Sequence, residues 1–148
     1  MSIREESPKL YQITFEHRPQ YLYVYVTGDH DSYEISRQYW LEVAGECSKT
    51  EYKKVLIEED IKELISLSEV YQLASELPLM DFQGVRVAFF DRFAEHDELN
   101  QFGELVATNR GLLARVFNNF EEAENWLLNK TGTGPNSQAS DSKPCSIL

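Results

Sequence analysis

An aspartate and a histidine in the stretch DRFAEHDE, residues 91–98, have the side chains that general acid–base catalysis requires. Asp91 and His96 follow the apolar run VRVAFF, so we expect them just beyond a strand, with Arg92 beside them. Helix starts favour acidic residues and loops favour polar ones, so a strand-to-helix loop explains the pattern without catalysis. An enzyme that uses Asp91 and His96 is kept as a third hypothesis.

Two other polar stretches contain metal-capable side chains. Asp29, His30 and Asp31 are consecutive in GDHDS, but adjacent side chains point in different directions and metal ligands must converge. EEDIKE, residues 58–63, lacks the glycine and the alternating acidic spacing of a calcium loop. A turn with Asp31 as a helix N-cap explains the first stretch, and a solvated loop after a strand explains the second. We predict no metal site.

Catalytic and cofactor motifs are missing from the sequence. It contains no G-x-S-x-G elbow, no phosphate-binding G-x-x-x-x-G-K-[ST] loop and no G-x-G-x-x-G fingerprint. His17, His30 and His96 fall in different segments. We therefore predict a protein that is not an enzyme and that uses no cofactor.

The stretch ELISLSEVYQLASEL, residues 63–77, places two serines beside a helical pattern. With Ser66 as the N-cap, Glu69 falls at the third helical position and completes a capping box. Ser68 then lies in the first helical turn, where the helix dipole stabilises a phosphate but the acidic neighbours repel it. Helix capping is the favoured interpretation, and phosphorylation of Ser66 or Ser68 stays open.

The hydrophobic periodicity predicts elements in the order β-β-α-β-α-β-α-β-α. The first two strands form a hairpin over residues 10–28, and the first helix spans about 32–48. Strands that alternate with helices indicate βαβ crossovers. The expected fold class is α/β, with a mixed sheet of four or five strands and about four helices. One domain over residues 10–130 follows a lead-in of residues 1–9 and precedes a flexible tail of residues 131–148.

The second strand, YLYVYV, separates aromatic from aliphatic side chains. Tyr21, Tyr23 and Tyr25 share one face of the strand, and the aliphatic side chains share the other. We expect the aliphatic face to meet the core. Whether the tyrosines form a contact between copies of the chain stays open, so an oligomer is an alternative to a monomer.

The net charge of −11 excludes the nucleic-acid backbone and anionic lipid surfaces as default partners. No apolar run approaches the ~18 residues of a membrane span, and no signal-peptide pattern is present. We predict a cytoplasmic protein with reduced Cys47 and Cys145. The ending CSIL matches a prenylation pattern at Cys145, but the polybasic second signal that stable anchoring requires is missing.

In this order of elements the chain resembles the SpoIIAA-like group, the small α/β domains of STAS and SEC14 type. The stretches that support the resemblance are YLYVYVTG, KKVLIEE followed by SLSEVYQLA, VRVAFFDR and ARVFNNFEEAENWLL. It covers residues 10–129. The resemblance implies a mixed sheet with helices largely on one side and a role without catalysis.

STAS domains that antagonise anti-sigma factors dock on a kinase-like partner, and phosphorylation of a serine at the start of their second helix releases it. Their pattern there is Asp-Ser-Ser-Gly-Leu. In this sequence the corresponding places hold Ser66, Leu67, Ser68, Glu69 and Val70. Leu67 replaces the phosphorylated serine and Glu69 replaces the glycine, so the phosphorylation switch is not transferred to this chain.

Two functions from different classes follow from the resemblance. The first is a non-catalytic, regulatory contact with an unidentified protein partner at the start of the second helix. Its residues are Ser66, Ser68, Glu69 and Tyr71. The alternative follows SEC14-type relatives, which hold a lipid in an apolar pocket: this chain would bind a small apolar or lipid ligand between sheet and helices. The residues expected to line that pocket are Tyr39, Trp40, Phe89 and Phe102.

Overall fold

Five strands form one mixed sheet in a computed structural model that describes residues 9–128 of the chain. The strands are β1 (Gln12–His17), β2 (Leu22–Thr27), β3 (Lys54–Asp60), β4 (Arg86–Asp91) and β5 (Leu113–Phe117). They lie side by side in chain order. β1 is antiparallel to β2, and every later pair is parallel.

Four α-helices alternate with these strands as expected. They are α1 (Tyr33–Thr50), α2 (Leu67–Glu76), α3 (Asp97–Asn109) and α4 (Phe120–Leu128). Single 3-10 turns follow α2, at Leu77–Leu79, and precede α3, at Ala94–His96. The predicted α/β fold class and element order are confirmed. Within the described residues, no helix combines the length and the apolar character needed to cross a membrane.

The larger hydrophobic core lies between the sheet and helices α1, α2 and α3. Each parallel crossover steps to the next strand in the same direction, and right-handed crossovers of that kind place their helices on one face of the sheet. The core-facing strand residues alternate, as period-2 geometry requires. Those of β2, β3 and β4 include Val24, Val26, Val55, Ile57, Val87 and Phe89.

The smaller core lies on the opposite face of the sheet, under α4. Ala123 and Leu127 of α4 are fully buried against Leu56 of β3 and Ala88 of β4. Tyr21 belongs to the same cluster, and the ring of Tyr23 meets Phe120 edge-on at 6.0 Å between centroids. Tyr21 and Tyr23 are therefore covered by a helix of the same chain.

The predicted helix boundaries hold in most places. Ser66 caps α2, and the capping box with Glu69 is complete. The predicted cap of α1 is wrong: Ser32, and not Asp31, accepts the hydrogen bond from the Ile35 N–H. Serine and aspartate both cap helices well. Ser32 directly precedes the first helical residue, Tyr33, so it caps α1, and the Asp31 side chain makes other hydrogen bonds.

Parts of the sequence predictions fall outside the described residues. Residues 1–8 of the predicted lead-in belong to that part, as does the whole predicted tail, residues 131–148, with Cys145 and the CSIL ending. Cys47 is described: it lies buried on α1, and burial raises the pKa of its thiol to about 12. A thiol in that state is inert at neutral pH.

Candidate functional site

Asp91 anchors a group of buried polar side chains at the carboxyl end of β4. Its side chain is 3% exposed. One carboxylate oxygen accepts a hydrogen bond from the Phe93 N–H at 2.9 Å. The other lies 2.8 Å from the Asn100 amide nitrogen and 3.0 Å from Nδ1 of His96. These partners come from the loop after β4 and from α3. Their hydrogen bonds replace those that water makes to an exposed carboxylate.

His96 is held between two hydrogen-bond acceptors. Its Nδ1 faces the carboxylate of Asp91, and its Nε2 lies 2.9 Å from the carbonyl oxygen of Lys62. A carbonyl can only accept, and so can an ionised carboxylate. Nε2 of His96 is therefore the donor to the Lys62 carbonyl, and the ring ties the loop after β3 to the carboxyl end of β4.

Glu59 lies beside Asp91 because the two strands place it there. The residues are partners in the parallel register of β3 and β4, so their side chains leave the sheet on the same face. Glu59 is 6% exposed and accepts a hydrogen bond from the hydroxyl of Tyr39 on α1. Burial, followed by the negative charges of Asp91 and Asp31, raises the pKa of Glu59 well above its ordinary value. The buried site therefore favours the protonated form of this carboxyl group.

Asp31 completes the group from the start of α1. Its carboxylate accepts hydrogen bonds from the Ser32 N–H and the Ser36 hydroxyl, each at 2.8 Å. Burial raises the pKa of Asp31 to about 6, against the opposing effect of these two donors. Asp31, Tyr39, Glu59, Asp91 and His96 are called the acidic cluster below.

A cavity of about 110 Å³ borders the acidic cluster, between the sheet and helices α2 and α3. All five cluster residues line it. Its walls are largely apolar and come from strands and helices alike: Trp40, Leu73, Val87, Phe89, Ala107 and Val116. Glu63 and Leu64, in the loop between β3 and α2, also line it and are about half exposed, so the cavity opens at this loop.

The charged side chains around the cavity are mostly acidic. Beyond the acidic cluster, Glu63 and Glu104 line it, and Arg115 is the arginine among the lining residues. Arg115 pairs with Ala88, whose side chain lies under α4, so the register directs the Arg115 side chain to the opposite face of the sheet. Its positive charge still acts at the edge of the cavity: burial raises the pKa of Glu104, and the Val116 N–H and the charge of Arg115 oppose that rise.

The residues predicted to line an apolar pocket are only partly brought together. Tyr39, Trp40 and Phe89 line the cavity, and the Trp40 and Phe89 rings stack with centroids 5.8 Å apart. Phe102 is not among the lining residues: its ring lies 6.5 Å from that of Tyr71, between α2 and α3. That these residues bind a ligand stays a prediction.

The residues predicted for partner contact lie together at the start of α2. Ser66 and Ser68 are exposed, with their hydroxyl oxygens 3.3 Å apart, and Tyr71 is 47% exposed. Ser66 is occupied in the capping box with Glu69, whose backbone and side-chain bonds to Ser66 lower its pKa. Contact with a partner and phosphorylation at this surface both stay predictions.

The two stretches tested for metal ligands do not form sites of their own. Nδ1 of His30 lies 3.3 Å from Oε1 of Glu63, whereas the carboxylate of Asp31 accepts a hydrogen bond from the Ser36 hydroxyl. Within residues 58–63 the strand continues to Asp60, so the prediction of a solvated loop is wrong there: Glu58 and Glu59 are buried on opposite faces.

Side chains from three segments nevertheless come close enough to hold a cation. Ligand atoms of Glu59, Asp91 and His96 lie within 4.8 Å of one another. Each of the three side chains already makes a hydrogen bond, with Tyr39, Asn100 and the Lys62 carbonyl respectively.

Arg92, predicted beside Asp91 and His96, points away from both. It binds Glu58 at 2.9 Å and Asp60 at 3.2 Å on the other face of the sheet. Asp91 and His96 do meet, as the third hypothesis required, but Glu59 was missed. The sequence does contain a pattern that indicates Glu59. In both strands every second residue faces the larger core, and the last of these residues is acidic: Val55, Ile57 and Glu59 in β3, and Val87, Phe89 and Asp91 in β4.

The fold defined by these elements is SpoIIAA-like. It is similar to the structure of an uncharacterised protein of the DUF3478 family with a SpoIIAA-like fold from Shewanella loihica PV-4. The two chains are 15% identical, with a TM-score of 0.50, over 84% of this chain and 98% of the other. No protein-family model matches the sequence, and no curated protein matches it.

Proposed function

We propose that this protein is a non-catalytic binding domain that holds a small, largely apolar molecule between its sheet and helices α2 and α3. The observation that supports the proposal is the cavity of about 110 Å³, with apolar walls and a hydrogen-bonding cluster at one end. Binding sites for small molecules have this composition: apolar walls with a few polar groups that orient the ligand.

The size of the cavity sets the size of the ligand. An engineered protein cavity of roughly 150 Å³ stays dry and binds benzene. A cavity of about 110 Å³ is slightly smaller, so a ring of benzene size enters with a small outward movement of the half-exposed Leu64 loop. A longer ligand would extend through the opening at this loop.

A nuclear magnetic resonance titration with benzyl alcohol, a neutral probe of that size, tests the proposal. We expect the shifted amide signals to come from residues around the cavity, such as Leu73 and Val116. Ala107→Leu places a larger side chain in the cavity from α3, and Ala74→Leu does so from α2. Both variants should bind the probe at least several-fold more weakly.

Gly45→Ala on α1 is the matched control for these variants. An added Cβ at Gly45 meets no atom within 4 Å, so this change enlarges a side chain without touching the cavity. The control should bind like the wild type. Scattered signal shifts, or binding that is unchanged in both cavity-filling variants while they remain folded, would refute the proposal.

A second candidate function is regulatory contact with another protein at the start of α2. It is favoured by three large apolar side chains exposed around Ser66 and Ser68: Leu64 at 49%, Leu67 at 59% and Tyr71 at 47%. Exposed apolar groups gathered in one place are typical of contact surfaces.

A pull-down with the variant Leu67→Ser tests the second candidate. We expect a stoichiometric partner of the wild type to be lost from this variant and kept by Leu79→Ser. Leu79 is 85% exposed beyond the other end of α2, so its replacement makes the same chemical change elsewhere. Recovery of no partner, or equal loss from both variants, counts against a contact at this surface.

A further inference from the structure

We propose that the ligand of the cavity carries a protonated amine, which binds at the acidic cluster while its apolar part lies against Trp40, Phe89 and Val116. This inference rests on the proposed function, because it names the class of molecule that the cavity takes. It follows from the charges that face the cavity and from where those charges lie.

The charges around the cavity favour a cation over an anion. Five carboxyl groups line it, from Asp31, Glu59, Glu63, Asp91 and Glu104, against the buried ring of His96 and Arg115, whose positive charge acts on Glu104. A carboxylate or phosphate ligand would meet this negative charge in a region of low dielectric, where repulsion is strong. A protonated amine would be attracted by the same groups.

The apolar walls of the cavity favour an organic cation over a bare metal ion as the ligand. Glu59, Asp91 and His96 have ligand atoms within 4.8 Å of one another, but the rest of the cavity is apolar. A metal ion alone would leave those walls in contact with water. An amine attached to a small ring or branched chain would pair its charge with the acidic cluster and place its apolar part against the walls.

Glu59 supplies the specific recognition. In the free protein burial and negative neighbours raise the pKa of Glu59 and favour its protonated form. The groups that face it are Tyr39 on α1, Asp31 before α1, Asp91 on β4, and His96 before α3. A bound ammonium group brings a positive charge to this place, so Glu59 releases its proton to solvent and becomes the carboxylate that pairs with the amine.

This exchange of a proton for the ammonium group predicts that the affinity for the amine increases with pH. Each amine bound releases a proton from Glu59, so the affinity rises with pH for as long as Glu59 is protonated in the free protein. The slope approaches about tenfold per pH unit for a full proton. Benzyl alcohol has no charge, and its affinity should not change with pH in this way.

The test compares benzylamine with benzyl alcohol and benzoate by the same magnetic resonance titration, at several pH values. Near neutral pH we expect benzylamine to bind roughly tenfold more tightly than benzyl alcohol, the factor for a hydrogen bond to a charged group. Benzoate should bind more weakly than either. Glu59→Gln should remove the preference for the amine and the pH dependence, but keep binding of benzyl alcohol.

Glu58→Gln is the matched control. It makes the same substitution at the adjacent residue of β3, but Glu58 lies on the opposite face of the sheet with Tyr23 and Arg92. It should behave like the wild type. Equal affinity for benzylamine and benzyl alcohol, or a preference that persists in Glu59→Gln or disappears in Glu58→Gln, overturns the assignment of an amine and leaves the cavity as a binding site. Absence of binding by all three probes overturns the proposed function itself.

Discussion

Tyrosine hydroxyl groups satisfy many of the carboxylates in this acidic protein. The sequence has 25 acidic residues and 14 lysines and arginines, so salt bridges alone cannot pair every acid. Tyrosine donates to a carboxylate in the pairs Tyr11–Glu42, Tyr21–Glu124, Tyr23–Glu58, Tyr25–Asp60, Tyr33–Glu76 and Tyr39–Glu59. A hydroxyl donor stabilises the ionised acid without adding charge. At Glu59, burial and neighbouring acids raise the pKa well above the ordinary value despite this donor.

The protonated state of Glu59 makes stability depend on pH. Its pKa is raised in the folded protein, so the folded state binds more protons than the unfolded state above the ordinary pKa of 4.5. Stability is therefore lost as pH rises from that value towards the folded pKa. Glu59→Gln keeps a neutral side chain of the same shape and removes this loss.

We expect Glu59→Gln to gain stability relative to the wild type as pH rises from about 5 to about 8, by roughly 1.4 kcal/mol for each pKa unit of the shift that lies in this window. Urea unfolding of both proteins at each pH measures the difference. Asp31 also titrates here, but it is present in both proteins and largely cancels in the comparison. A difference that does not change with pH would show that Glu59 is ionised in the folded protein.

The start of α2 both caps a helix and borders the cavity. Ser66 and Glu69 close the capping box, and the preceding residues Glu63 and Leu64 border the cavity opening. The capping box thus fixes the place where the loop ends and the helix begins. The exposed Leu67 and Tyr71 lie just beyond it.

We predict that Ser66→Ala destabilises the protein by about 1 kcal/mol, because it removes the acceptor for the Glu69 N–H. Ser68→Ala, in the first turn of the same helix, should change the free energy of unfolding by less than about 0.5 kcal/mol. Chemical denaturation measures both. Equal effects of the two substitutions would mean that the capping box does not stabilise α2.

Local patterns were sufficient to predict the helices but not the acidic cluster. The apolar stripe of α1, from Ile35 to Cys47, is buried as its 3.6-residue period indicates. Glu59 and Asp91 each look like the polar end of a strand, and only the pairing of β3 with β4 places them together. Asp31 and Ser32 are both good caps, so local sequence does not decide which one is free to turn inward.

At the scale of the whole molecule, the two faces of the sheet are covered unequally. Within residues 9–128, three helices cover one face and enclose the cavity, whereas α4 alone covers the other. Leu127 is fully buried in the smaller core. The cavity therefore belongs to the side with the larger core.

We predict that Leu127→Ala destabilises the protein by about 2–5 kcal/mol, the usual cost of removing a large buried aliphatic side chain. Leu79→Ala is the control, because Leu79 is 85% exposed and its truncation should cost little. Thermal or denaturant unfolding compares them. A loss below about 1 kcal/mol for Leu127→Ala would indicate that α4 is not firmly packed on the sheet.

The most direct test of a ligand site inside the fold is the measurement of intermolecular nuclear Overhauser effects between bound benzylamine and the methyl groups of the protein. The account predicts contacts from the ring of the probe to Leu73, Val87 and Val116, which line the cavity between sheet and helices. Contacts only to the exposed Leu67 and Leu79, with none to the three interior residues, would contradict it.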